Sequence, residues 1–209
     1  MAKEGIPFLI VFLVPAALSF ALGIWILGVV FVAFAMFMAF FFRDPDRRSP
    51  GDPSLIISPA DGRVLVVAPV DPEQEPSAIQ VSIFLSPLDV HINRSPIAGE
   101  IVDVTYRRGA FHIASREIAS VENEQNIVTV KGQFVTLVFR QIAGILARRL
   151  VFWRRIGDVV GQGERIGLMK FGSRMDVIVP PEVEVLVRPG DRVKGGVTAI
   201  GRLRSASQG

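Results

Sequence analysis

The chain has 209 residues, half of them hydrophobic, and its 23 basic and 20 acidic side chains leave a net charge of +3. It has no cysteine, which excludes disulfides, thiolate metal sites and a cysteine nucleophile. With only two histidines, His91 and His112, a histidine-rich metal centre is not expected.

The mild positive charge suits an anionic membrane surface, and no nucleic-acid-binding motif is present. From Ile6 to Phe42 there is no charged residue, a run of 37 positions (42 − 6 + 1). One straight membrane span needs about 20 apolar residues, so the run is too long for one. Pro15, Ser19 and Gly23 interrupt its middle. The pattern predicts two short helices, roughly 7–21 and 24–42, joined by a tight turn as a transmembrane hairpin over 1–42; one long tilted helix is the alternative. A signal peptide would have a shorter apolar core followed by a small-residue cleavage site, and neither fits. Lys3 precedes the run and Arg43, Arg47 and Arg48 follow it. Positive residues at both ends place both ends in the cytoplasm, which only an even number of spans allows. The soluble part is therefore expected on the cytoplasmic face of the cell membrane.

"RDPDRRSPGDPS" (43–54) is proline-rich and charged, and 43–57 reads as a linker. Beyond it, 58–209 forms one domain of short β-runs separated by Pro, Gly and Asp turns: "GRVLVVAPV", "AIQVSIFL", "GEIVDVTYR", "QNIVTVKG", "QFVTLVFRQIAG", "MDVIVP" and "VEVLVRPG". This spacing predicts a mainly β domain. "SREIASVENEQN" (115–126) is the polar exception, a long loop or a short helix. "RIGDVVGQGERIG" (155–167) and "RPGDRVKGGVTAIG" (188–201) share the form Gly-Asp-x-Val-x-x-Gly, each with one Val expected to point inward. The echo fits a barrel-sandwich of the biotinyl/lipoyl type; ordinary turn chemistry used twice explains it as well.

Three short stretches carry candidate chemistry. In "SPADGRV" (58–64) Asp61 sits in a Pro-x-Asp-Gly turn leading into a strand, a pattern that is most often only a turn. In "FLSPLDVHINRSP" (84–96) Asp89 and His91 lie two residues apart, on one face of an extended chain. A histidine between apolar neighbours is as often a hydrogen-bonded core residue. "LMKFGSRMD" (168–176) places Gly172-Ser173 between two β-runs. One serine, one histidine and two aspartates are the minimum set for a base-activated serine. His112, in "GAFHIAS", has no carboxylate or nucleophile near it in sequence and reads as structural.

In consistent order from about Phe41 to Gly201, "FFRDPDR", "ISPADGRV", "FLSPLDVHINRSPIAG", "ENEQN", "QIAGILARR", "GERIGLMKFGSRMDV" and "PGDRVKGG" resemble the phosphatidylserine decarboxylase family, in its short membrane-attached form. Members of that family are made as proenzymes and cut themselves before a serine, which becomes a pyruvoyl group. Many members carry Leu-Gly-Ser-Thr at the cut; here it is Phe171-Gly172-Ser173-Arg174. Some have a second histidine three residues after the first, where this chain has Arg94. His91 then serves both self-cleavage and decarboxylation, or another group supplies one of the two roles.

The resemblance implies that Ser173 Oγ attacks the Gly172 carbonyl, with His91 as the base. Asp61 would hold the imidazole tautomer, with Asp89 as its rival. It implies a pyruvoyl cofactor derived from Ser173, an electron sink that replaces pyridoxal phosphate in converting phosphatidylserine to phosphatidylethanolamine. His91 would reprotonate Cα, and Arg94 or Arg174 would hold the substrate phosphate. The implied partners are phosphatidylserine in an anionic membrane and the chain's own large and small fragments, which stay associated; a homo-oligomer is left open.

The competing class is a membrane-tethered biotinyl/lipoyl-type carrier or transport adaptor, with Lys170 of "LMKFG" as the acceptor. It leaves Asp61, His91 and the other blocks without a role. A last expectation concerns "ARRLVFWRR" (147–155), where Leu150 to Trp153 lie between Arg148, Arg149, Arg154 and Arg155. Trp and Arg together suit a headgroup region; a core strand with charged ends is the alternative.

Overall fold

The computed structural model describes residues 1–73, 76–116, 118–145 and 150–204. The chain divides into two compact units, Met1–Asp46 and Arg47–Gly209.

The first unit is a helical hairpin. After a 3₁₀ turn at Lys3–Gly5, α1 spans Ile6–Ala21 and α2 spans Trp25–Phe41. Pro15 does not end α1: it lies inside the helix, and Ser19 Oγ donates to its carbonyl at 2.8 Å. The helix stops at Gly23 instead. There the Gly23 N–H returns to Phe20 O (3.1 Å) and the Ile24 N–H to Ser19 O (2.8 Å), the paired bonds of a Schellman C-cap. The helices run back along each other. Phe12 stacks on Phe34 with ring centroids 5.4 Å apart, and the Ala2 N–H donates to Phe42 O at 2.9 Å. Two helices are thus present rather than one long one. Lys3–Ala21 is long and apolar enough to cross a membrane, whereas the apolar α2 is shorter. Val14, Leu18, Ile26 and Val29 are exposed, so the pair is apolar on its outside as well.

The second unit is mainly β. Its elements are β1 (Leu55–Ile57), β2 (Gly62–Pro69), β3 (Ile79–Leu85), β4 (Ile92–Arg94), β5 (Gly99–Arg107), a short α3 (Ile118–Glu122), β6 (Gln125–Lys131), β7 (Thr136–Ile142), β8 (Leu150–Phe152), β9 (Val159–Val160), β10 (Arg165–Met169), β11 (Ser173–Val179), β12 (Val183–Val185), β13 (Arg192–Val193) and β14 (Ala199–Leu203). Eight strands form an antiparallel sheet in the order β13-β2-β3-β11-β7-β6-β5-β9, beside two three-stranded sheets, β1-β14-β12 and β4-β10-β8. The core holds Ile83, Leu85, Leu137, Phe139, Met175 and Val177, all fully buried. Each such side chain contributes roughly 1.5–3 kcal/mol by leaving water. β11 lies in the middle of the large sheet, hydrogen-bonded to β3 on one side and β7 on the other.

The Gly-Asp echo is a structural repeat. Gly157 N–H donates to Ile101 O and Gly190 N–H to Val64 O, both at 2.8 Å. In return Ile101 N–H reaches Asp158 O and Val64 N–H reaches Asp191 O, both at 2.9 Å. Asp158 Oδ2 accepts from Arg155 N–H, as Asp191 Oδ2 does from Arg188 N–H. Val160 and Val193 both point into the core, in β9 and β13, the two edge strands of the large sheet. The repeat extends to "SPADG" (58–62) and "SPIAG" (95–99), which precede β2 and β5. Ser58 Oγ donates to Ala60 O and Ser95 Oγ to Ile97 O, each at 2.6 Å, and the copies join reciprocally through Ile57 N–H to Pro96 O and Arg94 N–H to Pro59 O. Asp61 occupies the position that the second copy fills with Ala98.

One expectation is corrected. The linker is shorter than 43–57: the second unit begins at Arg47, and β1 lies within the proposed linker. Ser49 Oγ donates to Gln162 Oε1 (2.6 Å), and Gln162 Nε2 donates to Asp52 O (3.0 Å) and Leu55 O (2.8 Å). Ser54 donates to Asp52 from both its N–H and its hydroxyl, which holds that carboxyl below its ordinary range. In 147–155, Leu150 and Phe152 are half-buried against the core from β8, and Arg154 pairs with Glu164, as a core strand with charged ends would have it. Trp153 is 38% exposed, and Arg148 and Arg149 lie outside the described residues.

Candidate active site

Two strand pairs meet where the candidate residues lie. Leu85 at the end of β3 is opposite Ser173 at the start of β11, and Ile92 at the start of β4 is opposite Leu168 in β10. The chain passes between these pairs twice at one end, through 86–91 and through 170–172. His91 closes the first crossover, and its carbonyl accepts the Met169 N–H at 3.1 Å. Met169 and Ser173 are four residues apart, so their Cα atoms are separated by at most about 14 Å. His91 and Ser173, 82 positions apart in sequence (173 − 91), therefore belong to one junction.

Ser173 is fully buried, and its Oγ has no hydrogen-bond partner among the described residues. A buried hydroxyl normally finds a partner, and one left over in a packed sheet calls for an explanation. The peptide before it is also unusual. Phe171 (φ 53°) and Gly172 (φ 57°) are both left-handed, and Phe171 is the one such non-glycine among the described residues. A side chain in that region costs roughly 1–2 kcal/mol, so the turn into β11 is held under strain.

The His91 ring is 2% exposed, and its Nδ1 lies 2.9 Å from the Asp89 backbone carbonyl. A carbonyl only accepts, so this contact places the neutral ring's proton on Nδ1 and the lone pair on Nε2. At Nδ1 the orienting atom is thus a main-chain oxygen, where a carboxylate of Asp61 or Asp89 was expected. The Asp89 carboxylate is used locally. Its Oδ2 accepts from Ser86 N–H (2.9 Å) and Oγ (2.8 Å), and its Oδ1 pairs with Arg192 (2.9 Å).

Asp61 is buried and held by Arg47, which reaches both carboxylate oxygens, Oδ2 at 2.8 Å, while the Gly195 N–H donates to Oδ1 at 2.8 Å. Arg47 Nη1 also donates to Gly195 O at 2.7 Å. Sequence reasoning placed Arg47 in a solvated linker; nothing local marks an arginine as matched to a carboxylate fourteen positions on. Arg94 is 3% exposed, donates to Gly163 O at 3.0 Å and lines a polar cavity of about 400 Å³ with Arg47, Arg154 and Arg165.

Arg174 does not reach for a ligand. It is 1% exposed, and its guanidinium donates to Asp176 Oδ1 (2.7 Å), Ser82 Oγ (2.7 Å) and Arg116 O (3.3 Å). Asp176 is fully buried and also accepts from Ser120 of α3. The substrate-binding expectation for Arg174 is replaced by an internal one: two residues apart on one face of β11, Arg174 and Asp176 bind the strand to β3 and α3. His112 pairs with Glu122 at 3.0 Å on the surface.

No group of three or more His, Cys, Asp or Glu side chains suited to a metal occurs among the described residues. What the junction offers is a buried serine hydroxyl after the left-handed Phe171-Gly172 turn and a histidine whose Nδ1 is held. Such a set is the chemistry of a serine that a neighbouring base can activate. A family model of phosphatidylserine decarboxylase matches residues 34–201. Among curated relatives, the phosphatidylserine decarboxylase proenzyme of Solibacter usitatus is 53% identical over 87% of this chain and 88% of its own. The proenzymes of Symbiobacterium thermophilum (46%; 97% of this chain, 95% of its own) and Carboxydothermus hydrogenoformans (42%; 98% and 97%) match almost end to end. The chain belongs to the phosphatidylserine decarboxylase family.

Proposed function

We propose that the chain is a proenzyme that cuts itself between Gly172 and Ser173 and then decarboxylates phosphatidylserine to phosphatidylethanolamine. The observation that carries this is the uncommitted, buried Ser173 hydroxyl directly after the left-handed Phe171-Gly172 turn. Ser173 Oγ attacks the Gly172 carbonyl carbon while His91 Nε2 takes the hydroxyl proton. The C–N bond breaks, the proton passes to the Ser173 amine, and an ester joins the two residues. Loss of the Ser173 Cα proton with cleavage of the Cβ–O bond leaves Gly172 as a carboxylate and residue 173 as dehydroalanine. Its imine tautomer takes up water, releases ammonia and becomes a pyruvoyl group. When formed, that group supplies the electron sink for loss of carbon dioxide.

His91 is the proton carrier in both reactions. Asp61, charge-paired to Arg47, stabilises the imidazolium through space rather than by holding its tautomer. Arg94, at the wall of the arginine-lined cavity, is the group for the substrate phosphate. The hairpin of α1 and α2 spans the cell membrane, with the β unit on the cytoplasmic face; its apolar outside and flanking Lys3 and Arg43 support this. The matched hydrogen bonds of the Gly-Asp repeat support a barrel-sandwich architecture of the biotinyl/lipoyl type. The carrier alternative is not favoured, because the family match takes in Asp61, His91 and Ser173 together.

The test is carbon dioxide release from phosphatidylserine vesicles without added pyridoxal phosphate. Wild type should release it and lose activity to hydroxylamine. Ser173→Ala and His91→Ala should be uncut and inactive, and Asp61→Asn should cut more slowly. Arg94→Met should raise KM more than it lowers kcat. Full activity in Ser173→Ala would sink the proposal.

A further inference from the structure

Gly144, in the loop after β7, is buried and lies against the peptide bond that is cut. A Cβ built on Gly144 would stand 1.9 Å from the Gly172 carbonyl oxygen, 3.1 Å from its carbon and 3.3 Å from the Ala114 Cβ. The hydrogen that a side chain would replace therefore points at the scissile carbonyl oxygen, a C–H···O contact. The two glycines are needed for opposite reasons. Gly172 has φ +57° and open space where a Cβ would go, so backbone conformation selects it. Gly144 is outside the left-handed region and has no space, so the occupant of that space, the Gly172 oxygen, selects it.

The walls around this contact are built. Asn123 is fully buried; its Nδ2 donates to Ala143 O (2.7 Å) and His112 O (2.9 Å), and its Oδ1 accepts from His112 N–H (2.8 Å). Ala143 N–H in turn donates to Glu124 O at 3.0 Å. One asparagine thus ties the strand end carrying Gly144 to the loop carrying Ala114. The carbonyl oxygen of a left-handed turn is seated on the bare Cα of Gly144.

We propose that Gly144 is a positioning residue for self-cleavage, its bare Cα seating the Gly172 carbonyl where Ser173 Oγ attacks it. This rests on the self-cleavage reading above. In the step concerned, the Oγ–C bond forms, the C–N bond breaks, and the hydroxyl proton goes by way of His91 to the Ser173 amine. A methyl at 144 displaces the carbonyl by an ångström or more, and a misplacement of that size costs about 10²-fold in rate.

The experiment follows cleavage of the full chain over time, with and without hydroxylamine, for wild type, Ser173→Ala and Gly144→Ala. Hydroxylamine cuts any chain that has reached the ester. Gly144→Ala is expected to melt with Ser173→Ala, to cut about 10²-fold more slowly than wild type, and to gain nothing from hydroxylamine, because the ester does not form. Cleavage of a folded Gly144→Ala at the wild-type rate, or its rapid cutting by hydroxylamine, would overturn the seat. Should Gly144→Ala fail to fold, Ala114→Val decides, because its added methyls enter the space over the bare Gly144 Cα, where the Ala114 Cβ stands 3.3 Å from a Cβ built on Gly144. Cleavage about tenfold slower supports the seat, and an unchanged rate overturns it. A wild type that never cuts at Gly172–Ser173 refutes the self-cleavage reading instead.

Discussion

Arg174 and Asp176 lie within three residues of Ser173 in β11 yet hold each other, with side chains 2% and 0% exposed. Replacing Arg174 with Met leaves a buried carboxylate without its cation, a loss of about 3–5 kcal/mol. Urea unfolding in a Ser173→Ala background, where the chain stays whole, should show this; a loss below about 1 kcal/mol would place the pair among weak surface bridges. Residue identity was only partly readable from the chain. Gly172-Ser173, His91 and Asp61 stood out through the ordered blocks around them, because each short motif alone reads as well as a turn or a core residue. The partners were not readable: Arg47 looks solvated because its carboxylate is matched only in three dimensions. Asn123 and Gly144 look like ordinary loop residues because their neighbours come from other loops. The atom at His91 Nδ1 is a carbonyl, and a main-chain oxygen carries no sequence signal.

Among the elements, β11 decides what happens after a cut. It begins at Ser173 itself, two residues before the apolar run that announces it, since Ser173 and Arg174 already pair with Leu85 and Phe84. Cleavage before Ser173 would release a 37-residue piece (209 − 172) carrying β11, β12, β13 and β14. β11 is clasped between β3 and β7, β13 pairs with β2, and β14 pairs with β1. The two pieces should therefore elute together on native gel filtration and separate only in denaturant; separate elution without denaturant would contradict this pairing. The longer runs were legible as strands because β-branched and apolar stretches bounded by Pro, Gly and Asp turns mark them. β4, β9 and β13 have three, two and two residues, too few for any period to show. The pairing of β9 with β5 and of β13 with β2 comes with the Gly-Asp repeat, whose hydrogen bonds link positions far apart in sequence.

At the scale of the molecule, an apolar hairpin, Met1–Asp46, precedes a β unit that holds Asp61, His91 and Ser173. The charge-free run made the hairpin legible, and Gly23 marks its break, since only a glycine readily takes the left-handed C-cap there. If the hairpin spans a membrane, the full chain should stay in the pellet through alkaline carbonate extraction; release into the supernatant would contradict it. Whether this chain makes its own reactive group is read from the intact mass of purified wild-type protein under denaturing conditions. Two species are expected, residues 1–172 and residues 173–209, the smaller lighter than its sequence by the difference between a serine amine end and a pyruvoyl end, with Ser173→Ala at full length. A single species of full-length mass in wild type, or a small fragment that begins with an ordinary serine, would contradict it.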